Sequence, residues 1–208
     1  MPQATPHRAF WLRTLHQWHW ISSALCLVGL LLFTLTGFTL NHAAQIPATP
    51  STITAHATVP ATVLATLQMA AATSGTRAPL PPRMRAFLVD QFQLRTDGHQ
   101  AEWSSDEIYL SLPRAGGDGW LAIDLATGQV EVEQTDRGWI AYFNDLHKGR
   151  NTGPAWRWFI DVFALLCLVF SLTGLWLLYL YARVRHMTWP MVGAGALAPL
   201  IILLLLTH

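Results

Sequence analysis

Residues 21–40 read ISSALCLVGLLLFTLTGFTL, twenty positions without a single charge. Crossing the hydrocarbon core of a bilayer as a helix takes about 20 apolar residues, so Ile21–Leu40 is expected to span a membrane. A cleaved signal peptide is the rival reading, with Arg8 and Arg13 before the run and His42-Ala43-Ala44 after it. The run exceeds the usual core of about 7 to 15 residues in such a signal, which favours an anchor. Two further runs have the same character: Phe159–Tyr181, with Asp161 at its entrance, and the shorter Trp189–Leu206. Trp11, Trp18 and Trp20 before the first run, and Trp156, Trp158 and Trp189 around the others, suit the aromatic belts of the interface.

The rest of the composition follows from those runs. The 208 residues are 52% hydrophobic and 12% charged, about half the roughly 25% charge of a soluble domain. No Asp, Glu, Lys or Arg occurs between Arg13 and Arg77, between Asp161 and Arg183, or after His186, whereas eleven of the twelve acidic residues fall between Asp90 and Asp145. Segregation of this kind excludes a soluble enzyme core, a disordered tail and a basic polyanion-binding domain. A net charge of +1 gives no reason to invoke nucleic acid. Cys26 and Cys167 both sit inside apolar runs, where they serve as small hydrophobes and form no disulfide framework.

Arg8 and Arg13 flank one end of the first span, and Arg183 and Arg185 fill the link between the second and third. By the positive-inside rule these ends are cytoplasmic, which puts the N-terminus inside and the stretch 43–155 outside. The expected organisation is a segment 1–42 ending in the first span, a domain over 43–155, the second span within 156–186 and the third within 187–208. Within the domain, Pro47–Pro60 reads as an irregular linker and Ala61–Ala72 as a helix with Val63, Leu64 and Leu67 on one face. Strands are predicted over Ala86–Leu94, Glu107–Leu112, Gly119–Leu125 and Gln129–Gln134, with a hairpin turn at Asp124–Gly128. This is a small α+β unit with an antiparallel sheet. It lacks a GxSxG, HExxH or phosphate-loop motif.

Nine histidines stand against one lysine. His16 and His19 share a helical face at the inner end of the first span, His42 closes its outer end, His147 precedes the second span and His186 follows it. Each membrane face then has a histidine from both helices: His42 with His147 outside, and His16 or His19 with His186 inside. Imidazole binds iron through one nitrogen while a hydrogen bond anchors the other, and two such ligands hold a b-type haem from both sides. The alternative is that each histidine merely satisfies its polarity at the interface. Lys148, Arg150 and Arg157 could pair with haem propionates or equally with phospholipid headgroups. At 1.5 Å per residue, His19 and His42 lie about 35 Å apart, too far for easy electron exchange between two haems unless loops fold inward or a second subunit of a homo-oligomer supplies a relay. An internal echo, Leu32-Phe-Thr-Leu-Thr-Gly37 and Val169-Phe-Ser-Leu-Thr-Gly174, places small residues in both spans. Close helix packing explains it, and so does the approach of a planar cofactor to the backbone.

The strings Leu15-His-Gln-Trp-His-Trp-Ile21, Thr36-Gly-Phe-Thr-Leu-Asn-His42, Asp145-Leu-His-Lys-Gly-Arg-Asn-Thr-Gly153 and Phe170-Ser-Leu-Thr-Gly174 resemble the PepSY-associated transmembrane helix family. The resemblance covers nearly the whole chain. It implies a membrane α-helical protein of three transmembrane helices, with a small α+β PepSY-like extracytoplasmic domain between helices 1 and 2. Larger relatives include haem-b ferrisiderophore reductases of the bacterial inner membrane, with four or more spans. The resemblance therefore implies an electron-transfer subunit or ferric-chelate reductase, one or two haem b groups on His42, His147, His16, His19 and His186, quinol or a dehydrogenase as donor, and a ferric chelate or periplasmic redox protein as acceptor. PepSY domains are also associated with peptidase inhibition, so a membrane-anchored module that docks or restrains a partner protein is the second expectation.

Overall fold

The computed structural model describes residues 6–73 and 75–206. The chain divides into two compact units, one formed by the segment up to Leu32 together with that from Trp158 onward, the other by Phe33–Arg157.

The first unit is helical. It holds most of α1 (Pro6–Asn41), most of α5 (Gly153–Tyr181) and all of α6 (Thr188–Leu206), with a 3-10 turn at Ala182–Val184 between the last two. All three helices are long and apolar enough to cross a membrane. Helix is the conformation such sequences must take in lipid, because every backbone N–H and C=O finds its partner within the segment. Pro199 inside α6 removes one of those donors, a defect spanning helices tolerate. No side chain of α5 or α6 is buried within the protein. Leu165, Leu168, Leu172, Trp176 and Leu200 instead face outward, and hydrocarbon is the solvent that such surfaces match. Alpha1 begins fifteen residues before Ile21, and its 36 residues extend over about 54 Å, beyond the roughly 30 Å of a hydrocarbon core. Contacts between α1 and α5 pair His16 with Tyr181, His19 with Phe170 and Thr173, and Gly29 with Phe163, so the two helices run antiparallel. Cys26 and Cys167 are free thiols on that interface.

The second unit is built on a six-stranded antiparallel sheet in the order β1-β6-β5-β4-β3-β2. The strands are β1 (Ser51–Thr58), β2 (Arg77–Ala78), β3 (Ala101–Trp103), β4 (Glu107–Ser111), β5 (Gly117–Asp124) and β6 (Gln129–Asp136). Strict alternation sends Ile108, Leu110, Leu121, Ile123, Val130 and Val132 to one face, where Leu67 of α2 (Ala61–Thr73) and Met84 and Leu88 of α3 (Pro82–Phe92) close the core. The other face carries Glu107, Tyr109, Trp120, Glu131 and Glu133, with the Tyr109 and Trp120 rings stacked at 6.2 Å.

Three expected elements agree closely with β4, β5 and β6, and α2 with its predicted helix. Two do not. The predicted strand Ala86–Leu94 lies in helix α3 to Phe92. Pro82 in the first turn starts the helix with a preset φ, Met84 and Leu88 are buried at i and i+4, and Gln93 ends it in the left-handed region at φ 53°. The predicted irregular linker contains β1, paired with β6 from Ser51↔Asp136 to Thr58↔Gln129. Its one large apolar residue, Ile53, is 69% exposed, so an edge strand of threonines and alanines carries almost no hydrophobic alternation to read. Helix α4 (Gly138–Lys148) was not anticipated.

The turn at Asp124 forms as expected. Its carboxylate accepts hydrogen bonds from the backbone N–H of Thr127 (2.7 Å), the Thr127 hydroxyl (2.9 Å) and the N–H of Ala126 (2.9 Å), and Gly128 follows at φ 71°. The Thr127 N–H, followed by its hydroxyl, holds the Asp124 carboxyl below the ordinary aspartate range. A depressed folded pKa stabilises the turn above the unfolded value near 4, roughly, and that contribution fades as pH falls through the folded value. Amide exchange at Thr127 should accelerate, relative to β5, on acidification below about pH 4. The same acidification should leave Asp124→Asn unchanged.

Candidate functional site

Two histidines are held by a second helix in the same manner. In the helical unit, His19 of α1 meets α5 at Phe170-Ser-Leu-Thr-Gly174. Its Nδ1 lies 3.0 Å from Thr173 Oγ1, its ring stacks on Phe170 at 4.9 Å, and a Cβ on Gly174 would come within 3.1 Å of its Cε1. In the sheet-bearing unit, His147 of α4 meets α1 at Phe33-Thr-Leu-Thr-Gly37. Here Nδ1 lies 2.8 Å from Thr36 Oγ1, the ring packs on Phe33 at 5.1 Å, and a Cβ on Gly37 would stand 3.4 Å from Cε1. The echo in the sequence is therefore a histidine-docking motif used twice. Phenylalanine supplies a ring face, threonine three residues on supplies a hydroxyl, and the following glycine lets the imidazole lie against the helix.

The hydroxyls also bear on the tautomer. Thr173 Oγ1 is 2.7 Å from the Val169 carbonyl, and Thr36 Oγ1 is 3.3 Å from that of Phe33. A hydroxyl has one proton to donate. When it goes to the carbonyl, the oxygen must accept from the imidazole, so Nδ1 carries the hydrogen and Nε2 keeps its lone pair. His16 and His42 reach the same state by donating from Nδ1 to the carbonyls of Leu12 (2.8 Å) and Phe38 (3.0 Å). Four of the five expected ligands thus have Nδ1 engaged in a hydrogen bond, which leaves Nε2 as the ring nitrogen available to a ligand.

Among the described residues, no direct hydrogen bond or ring contact joins the expected partners. His42 follows Gly37 by five residues, which on a helix turns it about 140° away from the face that receives His147; its ring packs on Phe38 instead. His186 is exposed beyond the end of α5, and among the described residues no hydrogen bond or ring contact joins it to His16 or His19. His16 is also exposed, edge-on to Tyr181. Of the basic trio, Lys148 and Arg157 are exposed, while Arg150 Nε lies 3.5 Å from Asp145 Oδ1. Among the described residues no three His, Cys, Asp or Glu side chains converge as a metal cluster.

His19 also lines a groove of about 830 Å3 within the helical unit, bounded by Phe170, Gly174, Leu178 and Tyr181, with Arg185 and Thr188 among its lining residues. Its walls are mainly apolar, with an imidazole, a guanidinium and the hydroxyls of Ser171, Tyr181 and Thr188 as the polar features. Such a groove suits a flat amphiphile with an acidic group, and haem fits that description: Nε2 of His19 for iron and Arg185 for a propionate. What sequence reasoning missed is the role of Thr36 and Thr173. The signal was present in the echo, where the glycines suggested close packing and the threonines beside them were not singled out.

The profile of the PepSY_TM-like family matches residues 10–208. The chain belongs to this family. No curated protein and no solved structure matches it. Family membership and three spanning helices make this PepSY_TM-like protein a multi-pass membrane protein.

Proposed function

We propose that this PepSY_TM-like protein is a haem b protein of the bacterial inner membrane that passes electrons to an acceptor on the far side, a ferric siderophore or a flavoprotein. The observation that supports it is the pair of threonine-anchored imidazoles, one of them in the wall of an apolar groove that also contains Arg185. Haem would supply one-electron transfer at such a site. The protein's part is to hold His19 and His147 in one tautomer and orientation, to keep water from the ligand nitrogen, and to neutralise a propionate. A second imidazole would come from His16, His42 or His186, of this chain or of a second copy. Quinol or a dehydrogenase is the donor on this reading, because no nicotinamide or flavin motif occurs in the sequence. Arg13, Arg183 and Arg185 orient the chain with its N-terminus in the cytoplasm, and the sheet is then a periplasmic PepSY-like domain.

The test is an absorption spectrum of the purified full chain, air-oxidised and then reduced with dithionite, together with reporters fused at the N-terminus and after His99. A b-type band on reduction, its anaerobic loss on adding a ferric chelate, and a periplasmic signal only from the second reporter are expected. A haem-free protein from haem-replete cells would sink the proposal. If it then captured a partner through the uncovered sheet face around Tyr109 and Trp120, the chain would be a binding module.

A further inference from the structure

We propose that α4 is an interfacial membrane helix, with Trp139, Tyr142 and Phe143 seated in the lipid headgroup and upper acyl region around the Asn41 end of α1. This inference is independent of haem. It rests on depth, on an exposed aromatic face and on anchorage.

Depth comes from α1. His147 meets α1 at Phe33, Thr36 and Gly37, and Thr39 Oγ1 lies 2.9 Å from Asn144 Oδ1. All these α1 residues belong to its apolar spanning stretch, Ala9–Asn41. Thr36 precedes Asn41 by five residues, so α4 touches the helix about 7.5 Å inside its end. The other end of α4 leads through a four-residue turn, Gly149–Thr152, into α5, the next spanning helix. A segment pinned to one spanning helix below its rim and covalently continuous with another lies at the membrane surface.

The face follows from helical spacing. Trp139, Tyr142 and Phe143 stand at i, i+3 and i+4 and fall within one arc of about 100°. Their rings form one patch, with centroid separations of 6.0, 6.3 and 5.8 Å, and Trp139 is 76% exposed. The arc lies beside the one that carries Asn144 and His147 to α1. Tryptophan and tyrosine favour the interface, where an apolar ring and a polar edge are both satisfied.

Anchorage makes the placement rigid. Asp145, buried on the side away from α1, accepts the Gly116 N–H at 2.9 Å and pairs with Arg137 at 3.4 Å, tying α4 to the turn before β5. Gly149 caps the helix at φ 66°, and Trp156 Nε1 donates to the Leu146 carbonyl at 2.8 Å. Alpha4 is thereby held to the turn before β5 within the sheet-bearing unit.

The test uses the full chain in nanodiscs of phosphatidylcholine and phosphatidylglycerol, with nitroxides at Trp139→Cys and Phe143→Cys and a reference at Gln91→Cys in α3, all in a Cys26→Ala, Cys167→Ala background. The ratio of oxygen to water-soluble nickel-chelate accessibility is expected to be several-fold higher at 139 and 143 than at 91. Equal ratios, or labels closed to both reagents because a protein surface covers them, would overturn the proposal. Should the cysteine-free background misfold, quenching by brominated lipids supplies the second measurement. Wild type must lose more emission than Trp139→Phe, and identical quenching counts against lipid contact.

Discussion

His19→Ala is expected to abolish haem binding at the groove formed by His19, Phe170 and Arg185, lowering the haem-to-protein ratio of the purified chain. The effect is large because His19 is the one imidazole among the described residues that line that groove. Thr173→Val probes the same site more finely. Valine keeps the shape and removes the acceptor of the 2.9–3.0 Å class of bond that holds Nδ1–H, here 3.0 Å. Loss of an outer-shell partner of this kind typically weakens metal affinity by about 10- to 100-fold. Thr173→Ser restores the hydroxyl and should restore affinity. His147→Ala and Thr36→Val form the matching pair in the other unit, with the same ordering. Full haem content in His19→Ala would remove the groove from the assignment, whatever the other variants did.

Leu121→Ala should cost the sheet-bearing unit about 2 to 5 kcal/mol, the range for truncating a fully buried leucine. Leu121 is wholly buried in β5, paired with Leu110 on one side and Val132 on the other. A cavity there touches three of the six strands at once, and its cost is a large share of the roughly 5 to 15 kcal/mol of a whole domain. Thr54→Ala, on the opposite face of β1, should stay within about 0.5 kcal/mol of wild type. Hydrogen exchange of β5 and β6 amides in the membrane-reconstituted chain reads both. The core assignment fails if Leu121→Ala leaves their protection unchanged.

Some of this protein was legible in one dimension. The three spans were, because a bilayer demands about 20 apolar residues in a row and little else. So was the Asp124–Gly128 turn, where the carboxylate bonds to Ala126 and Thr127, and the alternating strands on either side of it. Helix α3 was misread because Phe87, Val89 and Phe92 mask the Met84 and Leu88 spacing, and β1 was missed because an edge strand buries too little to show a period. Helix α4 buries two polar side chains, Asn144 and Asp145, while Trp139, Tyr142 and Phe143 stay exposed, so it does not carry the signature of a core helix.

The candidate sites divide in the same way. Histidines at the ends of two spans and a repeated Phe-x-Leu-Thr-Gly are properties of the string, visible without coordinates. Which histidine enters which motif is not, since His19 and Thr173 are 154 residues apart and Thr36 and His147 are 111 apart. His147 meets α1 on the side that Gly37 presents, and a helix turns 100° per residue, so His42, five residues on, stands on another side. Sequence determines which groups are available at which depth. Their orientation depends on the rotation of each helix about its axis, and that is set by packing between segments more than a hundred residues apart.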